Sequence, residues 1–315
     1  MTLTRRRTLG LLGASALAPA SGFASPRLAY ALVPIEIGDG VWMVEGSTDY
    51  FSMQNGGAIV NVTLLRGDSG LIVVDSGPSL RYGEALKTMA LGLDIRGVSA
   101  VVNTHHHPDH FFGNQVFRDV PIHALGATQA AAFADGEAFA DNMYRLLGDW
   151  MRGTEVVPPT AVVAGGDLVI DGRMFAALPL SGHTAADLAL VDRATGNLIA
   201  GDLVFFNRAP TTPSADLDAW RASLDVLADT EASAIVPGHG PYDTVGASVA
   251  QTRAYLDWLE ATLRQGARDG LGMVELMDLD PPAEFAGMGA MPQEFHRTVA
   301  HLYPGIETEI LPLGN

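Results

Sequence analysis

The chain has no cysteine among its 315 residues, which excludes disulfides, a thiolate metal ligand and a cysteine nucleophile. No serine stands in a GxSxG turn, so a serine triad on a nucleophile elbow has no support either. Lysine is reduced to Lys87 against 18 arginines, a bias that reads as genome composition and carries no functional weight. Positive charge as a whole is scarce. The chain has 19 Lys and Arg against 36 Asp and Glu, for a formal net charge of −17. So acidic a surface repels phosphate backbones, which argues against nucleic acid as a partner and against nuclease chemistry. No apolar run reaches the roughly 20 residues that a membrane-spanning helix needs. What is there, 48% apolar and 17% charged residues, describes a globular chain long enough for a substantial core.

The amino terminus is set apart from that core. Arg5, Arg6 and Arg7 precede an apolar, Gly- and Ala-rich stretch at 10–20, and small residues follow at Gly22 and Ala24. The pattern resembles a twin-arginine export signal, which implies cleavage after Ala24 and a periplasmic mature protein that takes up its metal before crossing. Residues 1–24 are therefore read as the signal, 25–245 as the main domain and 246–315 as a helical extension packed on it.

The densest chemistry lies at 105–110, His-His-His-Pro-Asp-His, which fits HxHxDH. The β-branched run at 98–102 has the composition of a buried parallel strand, so the block sits where that strand leaves its sheet. In extended backbone, residues two apart share a face, so His105 and His107 can converge while His106 points elsewhere. Pro108 breaks that phase and opens a helix carrying Asp109 and His110. Three later strand ends each offer one more ligand-type residue beside a glycine: His183 after Gly182, Asp202 after Gly201, and His239 after Gly238. Imidazole and carboxylate suit zinc or iron, and loops at strand ends let distant residues meet.

Around these motifs the pattern predicts a hairpin strand at 35–45, a polar loop at 46–57 bearing Tyr50, Phe51 and Met53, and strands at 58–65 and 71–75. A helix follows at 79–91, a strand at 121–125 and a helical insertion at 127–150. Beyond Pro158-Pro159 come strands at 161–163, 167–170, 175–180, 187–192 and 197–200, then helices at 216–228 and 245–268. The tail at 271–304 reads as one or two short helices. Its His296 and His301 are five apart, off a common helical face, and read as packing or surface residues.

The order HxHxDH, GH, GD, PGHG resembles the metallo-β-lactamase superfamily over about residues 36–245. The stretches NTHHHPDHFFGN, LSGHTAADL, AGDLVFFNRAPTT and VPGHGP resemble one branch of it, the quinoprotein relay system zinc metallohydrolase family. The resemblance implies an α/β fold, the αββα four-layer sandwich, with a C-terminal helical extension. It assigns His105, His107 and His183 to one metal ion and Asp109, His110 and His239 to another, with Asp202 bridging. The cofactors implied are two Zn2+, with iron as the alternative. Water held between two such ions loses a proton near neutral pH and becomes the implied nucleophile on a small ester, thioester or lactam. Asp109 is the catalytic group expected to orient it and move its proton. Asp75, Thr104 and Thr184 are expected to hold ligand imidazoles in position.

Asp202 leans the reading towards thioesterases, since many β-lactamases of the superfamily place cysteine there or lack a bridging carboxylate. The tail offers no basic cluster for the carboxylates of glutathione. An iron-dependent persulfide dioxygenase and a non-catalytic, metal-containing partner of a periplasmic quinoprotein dehydrogenase are the alternatives. Proximity to the ligand loops nominates Phe51, Phe112, Trp150, Arg152, Asn207 and Arg208 as substrate contacts, with Phe111 and Phe206 behind them. The aromatics among them read equally well as core.

Overall fold

The computed structural model describes residues 28–311, so the expected export signal lies outside the described residues. A tight turn at Asp39-Gly40 joins β1 (Pro34–Gly38) to β2 (Val41–Val44), and the sheet continues through β3 (Val62–Arg66), β4 (Leu71–Val74), β5 (Val98–Val102), β6 (Ile122–Leu125) and β7 (Ala161–Val163) in sequence order. Pairing is antiparallel up to β4 and parallel from β4 to β7. The central strands are apolar on both faces, as parallel strands covered on both sides must be. Helix α1 (Leu80–Leu93) makes the crossover from β4 to β5, and the Ser79 side chain accepts the Tyr82 amide to cap it. The short α2 (Pro108–Phe111) and the long α3 (Gly126–Leu147) follow β5 and β6.

A second sheet runs β12-β11-β10-β9-β8, built from β8 (Gly166–Ile170), β9 (Arg173–Leu180), β10 (Asp187–Asp192), β11 (Asn197–Phe205) and β12 (Ala234–His239). Helix α4 (Leu217–Asp229), capped by Asp216, connects β11 to its parallel neighbour β12. The two sheets meet through Val41, Leu65, Ile72 and Val102 on one side and Phe175, Leu188, Ile199 and Val236 on the other. On the outer faces, Tyr82 and Leu86 of α1 cover Val62 and Val73, while Trp220 and Leu224 of α4 join Leu256 and Leu259 of α5 (Ala247–Asp269) over Val191 and Leu203. Each such fully buried side chain stabilises the layers by about 1.5–3 kcal/mol. The result is the αββα sandwich of the metallo-β-lactamase fold.

Three expectations are corrected. Residues 58–61 stay outside β3 because their backbone is engaged elsewhere: the Asn61 amide donates to Gly238 O at 2.8 Å and that of Ala58 to Asn55 O at 3.0 Å. Strand β11 does not end at 200 but runs on to Phe205, with irregular register against β12 around Gly201. The tail holds α6 (Met273–Met277), α7 (Ala283–Ala286) and an 18-residue α8 (Gln293–Ile310) that passes through Pro304. Proline costs that helix the bond to the carbonyl of Ala300, but Ala300 is exposed, so the loss falls where solvent can reach the backbone.

Candidate metal centre

The site lies at the edge where the two sheets meet. His105 and His107 stand just beyond β5, Asp109 and His110 on α2, His183 in the loop after β9, Asp202 within β11 and His239 at the end of β12. Two sets of ligand atoms result: His105, His107, His183 and Asp202 in one, Asp109, His110 and His239 in the other, each with its atoms within 4.8 Å of one another. Asp202 reaches both. Its Oδ1 is 3.1 Å from His110 Nε2, while Oδ2 is 3.2 Å from His239 Nε2 and 3.3 Å from His183 Nε2. His106 turns away to Asp135 on α3, 3.6 Å off.

Glycines make this convergence sterically feasible. Gly201 has φ +52°, a left-handed conformation that bends β11 and aims Asp202 at the histidines. A Cβ on Gly238 would lie 2.0 Å from Asp202 Oδ1, so β12 can approach only without a side chain there.

Hydrogen bonds to the far side of each ring set the imidazoles. His110 Nδ1 donates to Asp75 Oδ2 at 2.8 Å and His239 Nδ1 to Ile59 O at 2.7 Å, which directs both Nε2 atoms inward. Thr104 donates its amide and its hydroxyl to Asp75, each at 2.9 Å, and its Oγ1 lies 3.0 Å from His105 Nδ1. Thr184 is held by Asp187, to which its hydroxyl donates at 2.7 Å and its amide at 2.9 Å. Asp187 was not singled out from sequence; a carboxylate three residues after a threonine that follows a ligand histidine was the available signal. Burial pushes its pKa up to about 7, against the pull of the Thr184 bonds.

The electrostatics separate the rings. Burial holds His105 and His107 well below the ordinary histidine range and lowers His183 to about 3, leaving neutral imidazoles with free lone pairs. Burial also opposes charge on His110, but Asp202, Asp75 and Asp109 outweigh it and raise its pKa well above the usual value. Asp202 is held well below the ordinary carboxylate range: burial disfavours its charge, and His239, His110 and His183 more than compensate.

This donor set fits a pair of divalent cations. His105 Nε2 is buried and has no hydrogen-bond partner among the described residues. A buried polar atom left unpaired costs about 1–3 kcal/mol, a penalty that a bound cation removes. His107 Nδ1 and His183 Nε2 also face each other at 2.8 Å, two nitrogens of neutral rings converging on one point.

Above the ligands opens a cavity of about 310 Å³. Tyr50, Phe51, Phe139, Met143 and Leu146 line one part of it, Thr211, Pro213, Ser214, Arg297 and His301 another, with Asp109, Asp202 and His239 at the base. Of the nominated substrate contacts, Phe51 faces this cavity. Phe112 and Phe111 do not: the turn of α2 swings them into an apolar cluster with Met143 and Leu147. Trp150 is buried in the same cluster and donates its indole N–H to Met53 O at 2.9 Å, which ties down the loop that carries Phe51. Arg152 is exposed and paired with Asp149, and Asn207 is exposed against Gln251. Phe206 also lies off the lining. Arg208 is buried and paired with Glu294 of α8 at 3.3 Å. Missed from sequence were Arg297 and His301, four residues apart on α8 and so on one helical face, which was the signal to read. His296 donates to Met277 O at 3.0 Å and holds α8 to α6.

Residues 55–239, more than half of the chain, match the family model of the Metallo-beta-lactamase superfamily. Over 218 residues the chain is 27% identical to a protein named probable metallo-hydrolase YqjP from Bacillus subtilis, spanning 58% of this chain and 67% of that one. It is 25% identical over 236 residues to the human protein named acyl-coenzyme A thioesterase MBLAC2, spanning 67% and 81% of the two. Among solved structures, the metallo-beta-lactamase from Pontibacter korlensis superposes with a TM-score of 0.57 at 21% identity, over 72% of this chain and 99% of that one, and so shares the fold.

Proposed function

This chain belongs to the metallo-β-lactamase superfamily, and from that premise we propose that it is a dinuclear zinc hydrolase of a small ester or thioester. One observation carries the reading: the single buried carboxylate of Asp202 reaches histidines of both ligand sets. A bridge of opposite charge is what lets two cations share so small a site. Bound there, the cations would polarise a carbonyl oxygen and bring the pKa of water towards 7.

The chain's own groups do the rest. Asp109, at the cavity base with Oδ2 3.4 Å from His239 Nε2, orients the attacking water and passes its proton to the leaving atom. Asp75 and Asp187 keep the ligand loops from rotating away. Tyr50, Phe51 and Phe139 exclude bulk water and hold an apolar acyl group. Asp202 favours an ester or thioester over a lactam, and the thioesterase name of the MBLAC2 relative supports the same choice.

We also propose that the protein works in the periplasm, supported by Arg5, Arg6, Arg7 and the stretch at 10–20. The decisive experiment counts metals in protein purified from that compartment and then profiles esters, thioesters and β-lactams. About two zinc ions per chain with hydrolysis of an ester or thioester is the expected result. Full metal loading with no hydrolysis overturns the proposal. Because every ligand is nitrogen or oxygen, iron also fits the set; iron in the protein, with oxygen uptake on a persulfide, would replace hydrolysis by sulfur oxidation.

A further inference from the structure

The hydrolytic groups leave one charge in the cavity unused. Arg297 lines it from α8, one helical turn before His301, with its side chain 31% exposed. The nearest carboxylate is Glu294, whose Oε2 lies 3.7 Å from Arg297 Nη1. Glu294 already has a closer partner: its Oε1 is 3.3 Å from Nη2 of the fully buried Arg208 and accepts the Thr211 hydroxyl at 2.8 Å. Among the described residues no other carboxylate comes within 4.0 Å of either guanidinium. Two guanidiniums therefore share one carboxylate and a full positive charge is left over. Arg208 is sealed from solvent and needs the pairing more, so the excess sits on Arg297, at the wall of the cavity.

That placement runs against the field of the molecule. In a chain of net charge −17, a positive charge in the wall of a cavity that also holds the metal ligands marks where an anion is wanted. The same cavity is lined by Phe51, Phe139, Met143 and Leu146, which are apolar. At about 310 Å³ the space is at the small end for a ligand site.

We propose that Arg297 anchors a carboxylate on the substrate, which makes the substrate a small amphiphilic acid: an ester or thioester with an apolar body and an anionic end. The bond that is cut rests on the hydrolase reading above; the anion site does not. The scissile carbonyl lies over Asp202 and Asp109, the apolar body against Phe51 and Phe139, and the carboxylate on the guanidinium of Arg297. His301, four residues on along α8, lines the same cavity.

Two assays on the zinc-loaded protein test this. The first compares kcat/KM for mono-p-nitrophenyl glutarate and for neutral p-nitrophenyl valerate. Wild type is expected to favour the glutarate, Arg297→Met to lower the ratio by about tenfold or more, and Arg297→Lys to recover part of it. The second is calorimetric binding of 4-phenylbutanesulfonate, an anion that coordinates metals weakly, against 4-phenylbutanol. Arg297→Met is expected to weaken the sulfonate about tenfold relative to the alcohol. Circular dichroism establishes that each variant is folded. If both esters are cut but neither readout responds to Arg297→Met, the anchor is wrong and the hydrolase stands. If neither ester is cut while sulfonate binding still depends on Arg297, the hydrolase is wrong and the anchor stands. Failure of both assays removes both.

Discussion

Asp75 Oδ2 accepts a hydrogen bond from His110 Nδ1 at 2.8 Å, and it does so from a left-handed backbone with φ +62°. Its second oxygen binds the Thr104 amide, so one carboxylate fixes both the ring and the strand end that delivers His105. Asparagine tolerates the same backbone. Asp75→Asn should therefore keep the fold while weakening metal binding about 10- to 100-fold, read by competition with a chelator. Unchanged metal affinity would mean that the ring is oriented by something other than this carboxylate.

Asp202 offers a sharper contrast. Asparagine keeps its shape but removes the charge that faces His110, His183 and His239. We expect Asp202→Asn to bind one metal ion and wild type two, counted by mass spectrometry of the metal content. Two ions retained in the variant would show that the bridge needs no negative charge.

The ligand set was legible because it is local in chain. Four of the seven residues fall within 105–110, and each of the others follows a glycine after an apolar run. The hairpins, α1 and α4 were legible for the same reason: turn and cap residues act within a few positions of themselves. What sequence could not place was contact between remote segments. Arg208 looked like a substrate contact because it follows Asp202 by six residues, but its partner Glu294 lies 86 residues away. Phe112 is next to the ligands in chain yet faces the core, since helical rotation decides direction where proximity does not. The reach of α8 was hidden by Pro304, whose usual effect is to end a helix.

A pH effect is expected far from the metals. Arg173 donates to both oxygens of Asp192, at 2.8 and 2.7 Å, and both side chains are almost wholly buried. Burial opposes the charge on Asp192, but the bonds from Arg173 and Thr195 win and lower its pKa below the usual 3.8. A carboxyl depressed on folding contributes stability above its unfolded pKa and loses it as pH falls through the folded one. Asp192→Asn should therefore be less stable than wild type near pH 7, by on the order of 3 kcal/mol for a broken buried pair. The gap should narrow as the pH drops below about 4. Urea unfolding at pH 7 and at about pH 2.5, below the unfolded pKa, measures both; a gap unchanged between them would place the loss in packing.

The Arg208–Glu294 pair decides between two roles for Arg208. If it touched substrate, Arg208→Met would raise KM and leave stability alone. Its guanidinium lies out of solvent, 5.6 Å from the Phe205 ring centroid and 3.3 Å from Glu294, so its first duty is to join β11 to α8. Removing only Glu294 strands a buried cation, which costs about 3–5 kcal/mol. Removing both charges with side chains of similar size leaves nothing to strand. Glu294→Ala should thus lower the melting temperature by several degrees, and Arg208→Met combined with Glu294→Leu should recover most of it. If the double variant melts no higher than Glu294→Ala, the pair acts through shape, and the charge count that leaves Arg297 in excess loses its footing.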